Sequence, residues 1–331
     1  MCAFERSEKG MEFFMKKIVN LFFISLMLLS FTTINCSLAT TNDETFFVTS
    51  NENNDSFSFL MTDISTQETT EVKIPNISNQ ATDDENYTGI EACIPKDTNS
   101  SYNLFNNSLI SPSKVFDDDT RVKVNTSAYP YSAIGYLRIT FKNSTETYRG
   151  TAFLIGDNIA VTAGHCAYSF EKGEASSITF IPGRDGSNYP FGSANATKYA
   201  VKSEYKNGDG NYDWAILVLD SNIGNSAGTI GFGKYNNFED CLGKGAVISG
   251  YPKDKSGYQQ YGANGYITSV SEHKMWYTID TYDGQSGSPI MNSDKKAFGV
   301  HTGGSKENGN NWGMRVNDEF YSLAQYAVNN Y

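Results

Sequence analysis

Short apolar runs separated by Gly, Asn, Asp and Pro fill the chain from about Arg121 onward. They include Ile134–Phe141, Gly150–Ile155, Ile159–Thr162, Ile178–Ile181, Trp214–Leu219, Ala246–Ile248, Trp276–Ile279 and Ala297–His301. Several alternate or are rich in β-branched and aromatic residues, the mark of half-buried strands joined by turns. No helical pattern of 10–15 residues alternates with them, which argues against a parallel α/β sheet. The pattern predicts an all-β sandwich or a pair of barrels. One helix is predicted at the end, over about 317–328: Asn317 can cap it, and Phe320, Leu323, Tyr326 and Ala327 recur at helical spacing.

The first 114 residues read differently. Lys16 and Lys17 precede an apolar run, Ile18–Phe31, and a small-residue triplet follows at Ser37-Leu38-Ala39. A basic start, a short apolar stretch and a small-residue cleavage site make a secretory signal over 1–39, too short for a membrane span. Met15 is the natural start, because Glu5, Glu8 and Glu12 do not suit a basic leader. Cys36 offers lipidation as an alternative, although Asn35 before it fits poorly. No second long apolar run follows, so a secreted, extracellular product is expected.

Residues 40–114 carry twelve acidic side chains against three lysines, and are rich in Asn, Ser and Thr with apolar islands such as Phe57–Met61. Such a composition buries little apolar surface to offset chain entropy. It reads as a flexible linker or as a removable prosegment. The remaining 115–331 has a net charge of only −3 within a total of −11, and the isoelectric point is about 4.8. No nucleic-acid partner is expected of such a chain. With 3 His and 5 Cys in 331 residues, a multi-histidine metal centre and a disulfide-dense scaffold are both disfavoured.

Scarce histidines narrow the search for a base that works at neutral pH. His165 lies in Val161-Thr162-Ala163-Gly164-His165-Cys166, at the end of an apolar strand. Ser286 lies in Asp283-Gly284-Gln285-Ser286-Gly287-Ser288-Pro289, where flanking glycines permit a tight turn with converging N–H groups. A nucleophilic serine needs that setting, since its tetrahedral oxyanion must meet donors already aimed at it. Asp213 heads the apolar strand Trp214–Leu219, where a partly buried carboxylate needs a donor. Each feature alone has a bland reading: a structural histidine, a Gly-Ser turn, a turn-capping aspartate. Their order, His165, Asp213, Ser286, is that of one well-known serine-protease triad.

These motifs resemble the chymotrypsin-like serine proteases, and among them the bacterial glutamyl endopeptidases, which cleave after Glu. The resemblance runs from about Asp117 to the C-terminal helix. It rests on Thr126–Tyr131, T-A-G-H-C at 162–166, Tyr212–Ile216, Ser249–Pro252, Asp280-Thr281-Tyr282 with G-Q-S-G-S-P at 284–289, and Gly299–Thr302. It implies a double antiparallel β-barrel with a C-terminal helix, the first barrel at about 121–225 and the second at about 230–316, within a protease domain over 115–331. It also implies that Ser286 attacks the scissile carbonyl, that His165 relays the proton and that Asp213 orients the imidazole. The Gly284 and Ser286 amides would form the oxyanion hole. For substrate, it implies that His301 and Thr281 read a glutamate carboxylate together with the amine of the processed N-terminus. Gly303 and Gly304 would admit a substrate strand. No cofactor is required; calcium occurs in some relatives, with no ligands assigned here. Protein or peptide substrates, an activating protease and a monomeric state are the partner expectations, with no membrane contact after processing.

Several departures bear on these expectations. Gln285 stands where pancreatic-type enzymes carry the Asp that binds the new N-terminal amine. Asp283, where relatives often have Gly, could repel a glutamate side chain and shift specificity, which leaves a same-fold protease of different or narrow specificity as the alternative. A catalytically silent binding module is a rival from another class, although such copies usually lose a triad member. Gly150 offers no cysteine to pair with Cys166, so Cys166 and Cys241 are expected as two unpaired thiols, with their pairing as the alternative. His273 has no motif and is expected in an exposed loop. Processing is expected between Asn107 and Val115, giving a zymogen if the amine completes the pocket.

Overall fold

The computed structural model describes residues 56–77, 86–95, 119–305 and 310–331, all within the unit Asn54–Tyr331. The signal segment 1–39 and the processing window 107–115 lie outside the described residues. In chain order the strands are β1 (Ser56–Asp63), β2 (Thr69–Pro75), β3 (Tyr87–Ile90), β4 (Val122–Lys123), β5 (Ile134–Phe141), β6 (Thr147–Leu154), β7 (Ile159–Thr162), β8 (Tyr168–Ser169) and β9 (Gly173–Pro182). There follow β10 (Ala194–Lys202), β11 (Ala215–Leu219), β12 (Gly231–Tyr235), β13 (Gly245–Gly250), β14 (Tyr261–Val270), β15 (Lys274–Tyr277), β16 (Pro289–Met291), β17 (Lys296–Ser305) and β18 (Asn310–Arg315).

Two closed barrels account for most of them. The order β10-β11-β7-β6-β5-β9 closes through the β10–β9 pairing, and β16-β13-β14-β15-β18-β17 closes through β16–β17. Closure removes the free edges that an open sheet would expose. Alternation sets the faces. On β5, Leu137, Ile139 and Phe141 point into the core while Arg138 between them is exposed. The expected double barrel and its C-terminal helix are therefore present, the helix spanning Asp318–Asn330.

Asn317 caps that helix by accepting the Phe320 N–H at 3.0 Å, and Asp318 and Glu319 occupy the first turn, where the helix dipole favours acids. Phe320 then stacks on Trp214 with ring centroids 4.1 Å apart. Because Trp214 directly follows Asp213, the helix braces the start of β11 from behind.

The acidic leader departs from the expectation that it buries little. β1 and β2 form a hairpin whose first strand adds to the edge of β10, pairing Leu60 with Val201 and Met61 with Ala200. Phe59, Met61, Ile64 and Ile74 are buried, and Phe59 packs on Trp214 at 6.0 Å. Strand β3 pairs with β12. Overall composition hides this, because the polar residues alternate with apolar ones that use the core of the neighbouring barrel.

Candidate active site

β7 ends at Thr162, and the turn Gly164–Cys166 carries His165 on the first barrel. Asp213 heads β11, which pairs with β7 from Ala215 opposite Thr162. The two side chains meet: His165 Nδ1 lies 2.9 Å from Asp213 Oδ2 and 3.1 Å from Oδ1, and the His165 main-chain N–H also donates to Oδ1 at 2.8 Å. A carboxylate bound by both ring and main chain fixes the ring's tilt as well as its tautomer, with the proton on Nδ1 and Nε2 left free to accept. Burial works against a charged ring here, but the neighbouring Asp213 carboxylate outweighs it and holds the His165 pKa well above its ordinary value. A general base at this position would have to be neutral. If His165 has that role, the acid limb of the pH–rate profile is expected above the usual histidine range, and to move to lower pH in Asp213→Asn; a limb unchanged between the two would contradict the pairing.

The second barrel supplies the serine loop, which β6 of the first barrel holds in place. Thr151 N–H donates to the Ser286 carbonyl at 2.8 Å, and Thr151 Oγ1 donates to the Gly284 carbonyl at 2.9 Å. From the other side, Gly287 N–H donates to the His301 carbonyl at 2.7 Å, and His301 N–H to the Ser288 carbonyl at 2.9 Å. Gln285 is fully buried and its Oε1 accepts the Tyr282 N–H at 2.9 Å, so the side chain closes the turn itself. Gly284 has φ +96° and Gly287 φ +91°, conformations that disfavour any side chain. Among the described residues the Gly284 and Ser286 amides donate to no protein acceptor. Ser286 is partly exposed and makes no hydrogen bond to His165 in this resting arrangement, a looseness common where substrate is not bound. Asp283 is exposed.

His301 is buried on β17, beside the loop. Tyr277 O–H lies 2.7 Å from His301 Nδ1 and is fully buried, so donating to that nitrogen satisfies the hydroxyl and leaves the His301 proton on Nε2. Burial, reinforced by His165, pushes the His301 pKa down to about 3. The ring is thus a neutral donor at ordinary pH. Thr281 is half-buried after Asp280, whose carboxylate accepts the Thr120 N–H at 2.8 Å and hydroxyl at 2.6 Å; burial raises the Asp280 pKa. Gly303 and Gly304 face β18: a Cβ would meet the Trp312 indole at 2.7 Å and the Asn311 side chain at 1.9 Å respectively. Close packing on β18 therefore explains both glycines. His273, expected to be exposed, is half-buried instead, because its ring packs 5.1 Å from that of Tyr212, the neighbour of Asp213.

Neither Tyr277 nor Thr151 stands in a motif that signals its role, because their partners lie 24 and 133 residues away. Cys166 and Cys241 are free thiols, as expected; burial pushes Cys241 up to about 12. A Cβ on Gly150 would lie 2.8 Å from Cys166 Sγ, close to the roughly 3 Å that a disulfide holds between those atoms. Gly150→Cys is expected to bridge to Cys166 and to stabilise by about 3 kcal/mol, read as a rise in melting temperature that reductant reverses; no change on reduction would refute the bridge.

The family model described as trypsin matches residues 123–322. The chain belongs to the trypsin family. This serine protease is 36% identical over 226 residues to the extracellular metalloprotease of Bacillus subtilis strain 168, covering 66% of this chain and 71% of that one. It is also 36% identical over 215 residues to the glutamyl endopeptidase of Bacillus licheniformis, covering 62% of this chain and 65% of that relative's length. A solved structure of a Glu endopeptidase in complex with MPD overlays with a TM-score of 0.58 at 34% identity, covering 64% of this chain and 98% of that one. The protein is thus glutamyl endopeptidase-like. Among the described residues no group of three or more His, Cys, Asp or Glu side chains could hold a metal ion. Among the described residues no helix is long and apolar enough to cross a membrane.

Proposed function

We propose that this protease hydrolyses peptide bonds after glutamate through Ser286, His165 and Asp213. The observation that carries the reading is the pairing of His165 with Asp213 next to a serine loop whose Gly284 and Ser286 N–H groups have no acceptor among the described residues. Ser286 Oγ attacks the scissile carbonyl as His165 Nε2 takes its proton, and the new C–O bond leaves the electron pair on the carbonyl oxygen. The Gly284 and Ser286 amides hold that oxyanion; losing one such donor costs about 2.7–4 kcal/mol of barrier. His165 returns the proton to the leaving amine, and water then cleaves the acyl-enzyme by the same steps in reverse order.

Glutamate selection follows from His301. A neutral Nε2–H that Tyr277 fixes in place is a good donor to a carboxylate, a stronger acceptor than a main-chain carbonyl. Thr281 supplies a hydroxyl beside it. Asp283 is exposed, so water and salt screen its charge; that weakens the case for a different specificity. The reading includes secretion and a zymogen processed between Asn107 and Val115. Support for the zymogen comes from Thr120, just beyond that window, which bonds Asp280 next to Thr281. A fluorophosphonate probe tests the nucleophile: mass spectrometry should locate the adduct on Ser286 and find it lost in His165→Ala. Modification elsewhere, or none, would refute it.

A further inference from the structure

Arg149 lies beside the serine loop and gathers with Arg138 and Arg184, and among the described residues none of the three is ion-paired to a carboxylate. Arg138 and Arg149 are directly opposite on β5 and β6. Cross-strand partners share a face with Cβ atoms roughly 5 Å apart, and like charges so placed are destabilising. Arg184 joins them through Tyr136. Its guanidinium lies 4.5 Å from the Tyr136 ring centroid and 4.1 Å from that of Tyr258, whose ring also carries the Arg149 guanidinium at 4.9 Å. Burial raises the Tyr136 pKa, while Arg149, Arg184 and Arg138 all pull it down, as expected if the three charges surround one hydroxyl. Among the described residues no acid forms an ion pair with any of them. Arg138 reaches Thr179 Oγ1 at 3.4 Å and Arg184 reaches the Gly186 carbonyl at 2.9 Å; Arg149 has no hydrogen-bond acceptor. Cation–aromatic contacts pre-order such groups without neutralising them.

Arg149 brings the cluster to the edge of the serine loop, while Arg184 is buried among the Tyr136, Tyr189 and Tyr258 rings. A Cβ on Gly284 would meet Arg149 Cδ at 2.9 Å. On the same face of β6, two residues along, Thr151 holds the Gly284 carbonyl, a spacing of about 7 Å along a strand. The serine loop is bonded to His301 on β17 on one side and to Thr151 on β6 on the other. If the glutamate side chain is taken on the His301 side, the leaving half of the peptide passes over β6 and meets Arg149.

We propose that Arg149, with Arg138 and Arg184, forms a subsite that takes an acidic side chain at the first or second position after the scissile bond. The inference rests on the reading of Ser286 and His301 given above. A charged substrate would supply the missing counter-ions. In a chain of net charge −11, a basic spot facing the leaving peptide distinguishes clustered acidic sequences from isolated glutamates.

The test compares kcat/KM of the processed enzyme on two peptide sets that share Glu before the bond. One set carries Asp at the two following positions and the other Asn. The acidic set should be favoured on the order of tenfold, given the usual strength of a hydrogen bond to a charged partner, and the ratio should shrink toward one by about 0.5 M salt. Arg149→Gln should collapse the ratio and Arg149→Lys should restore part of it. A wild-type ratio of one, or a ratio unaltered by Arg149→Gln, overturns the subsite while leaving the Glu reading intact. Failure to cleave either set after Glu would overturn both together.

Discussion

Asp213→Asn is expected to lower kcat/KM by about four orders of magnitude without unfolding the protein. The reason lies in the proton on His165. Both carboxylate oxygens lie within 3.1 Å of Nδ1, so that nitrogen must donate. An asparagine amide turned toward the ring presents an N–H instead and reverses the tautomer. Nε2 then carries the proton and cannot accept one from Ser286. The amide oxygen can still take the His165 main-chain N–H, which now goes to Oδ1 at 2.8 Å, so the turn keeps its shape. Unchanged circular dichroism beside the lost activity would bear this out. A loss of less than about tenfold would remove Asp213 from the triad.

Gly287→Ala should be the most damaging small substitution in the serine loop. A Cβ there would lie 2.0 Å from the Thr151 carbonyl oxygen and 2.3 Å from Thr162 Oγ1, and those two atoms are themselves hydrogen-bonded at 2.7 Å. With φ at +91° the alanine also adopts a backbone region it disfavours. Relief would require parting β6 from β7 or tearing the loop from Thr151. A destabilisation of at least about 3 kcal/mol is expected, in the range where clash and backbone strain combine, with activity lost in whatever fraction still folds. Gly192→Ala separates the causes. Its φ is +81° but nothing lies within 4 Å, so only the backbone cost of about 1–2 kcal/mol should appear. Denaturant midpoints for the pair measure the difference, and equal losses would show that the clash is relieved cheaply.

Where the sequence was legible, one physical feature made it so. β5 and β7 match the apolar runs Ile134–Phe141 and Ile159–Thr162 because each buries its inward face without interruption. β14, β18 and β12 were not read, since glycine and asparagine break their alternation; YGANGYITSV and NNWGMR carry too few apolar residues in register. The leader hairpin was missed for a related reason. Its core is largely the neighbour's, so Phe59 and Met61 appear as isolated islands until β10 supplies the rest.

The site was legible where chemistry concentrates in a few consecutive residues. His165, Asp213 and Ser286 each stand in a short motif with a shape that explains it. Tyr277 and Thr151 do not, because what they do depends on a contact made across the fold. The arginine cluster was equally silent: Arg138 and Arg149 are 11 positions apart, and only the β5–β6 register sets them opposite each other.

Ser286, driven by His165 and Asp213, is expected to cut after glutamate selected by His301. A cleavage map tests it most directly. The processed enzyme and its Ser286→Ala counterpart are incubated with a mixed peptide library, and every cut bond is located by mass spectrometry. Cuts concentrated after Glu, absent from the alanine variant, are the result predicted. Cuts spread over other residues would contradict the role of His301, and cuts that persist in Ser286→Ala would contradict the nucleophile itself.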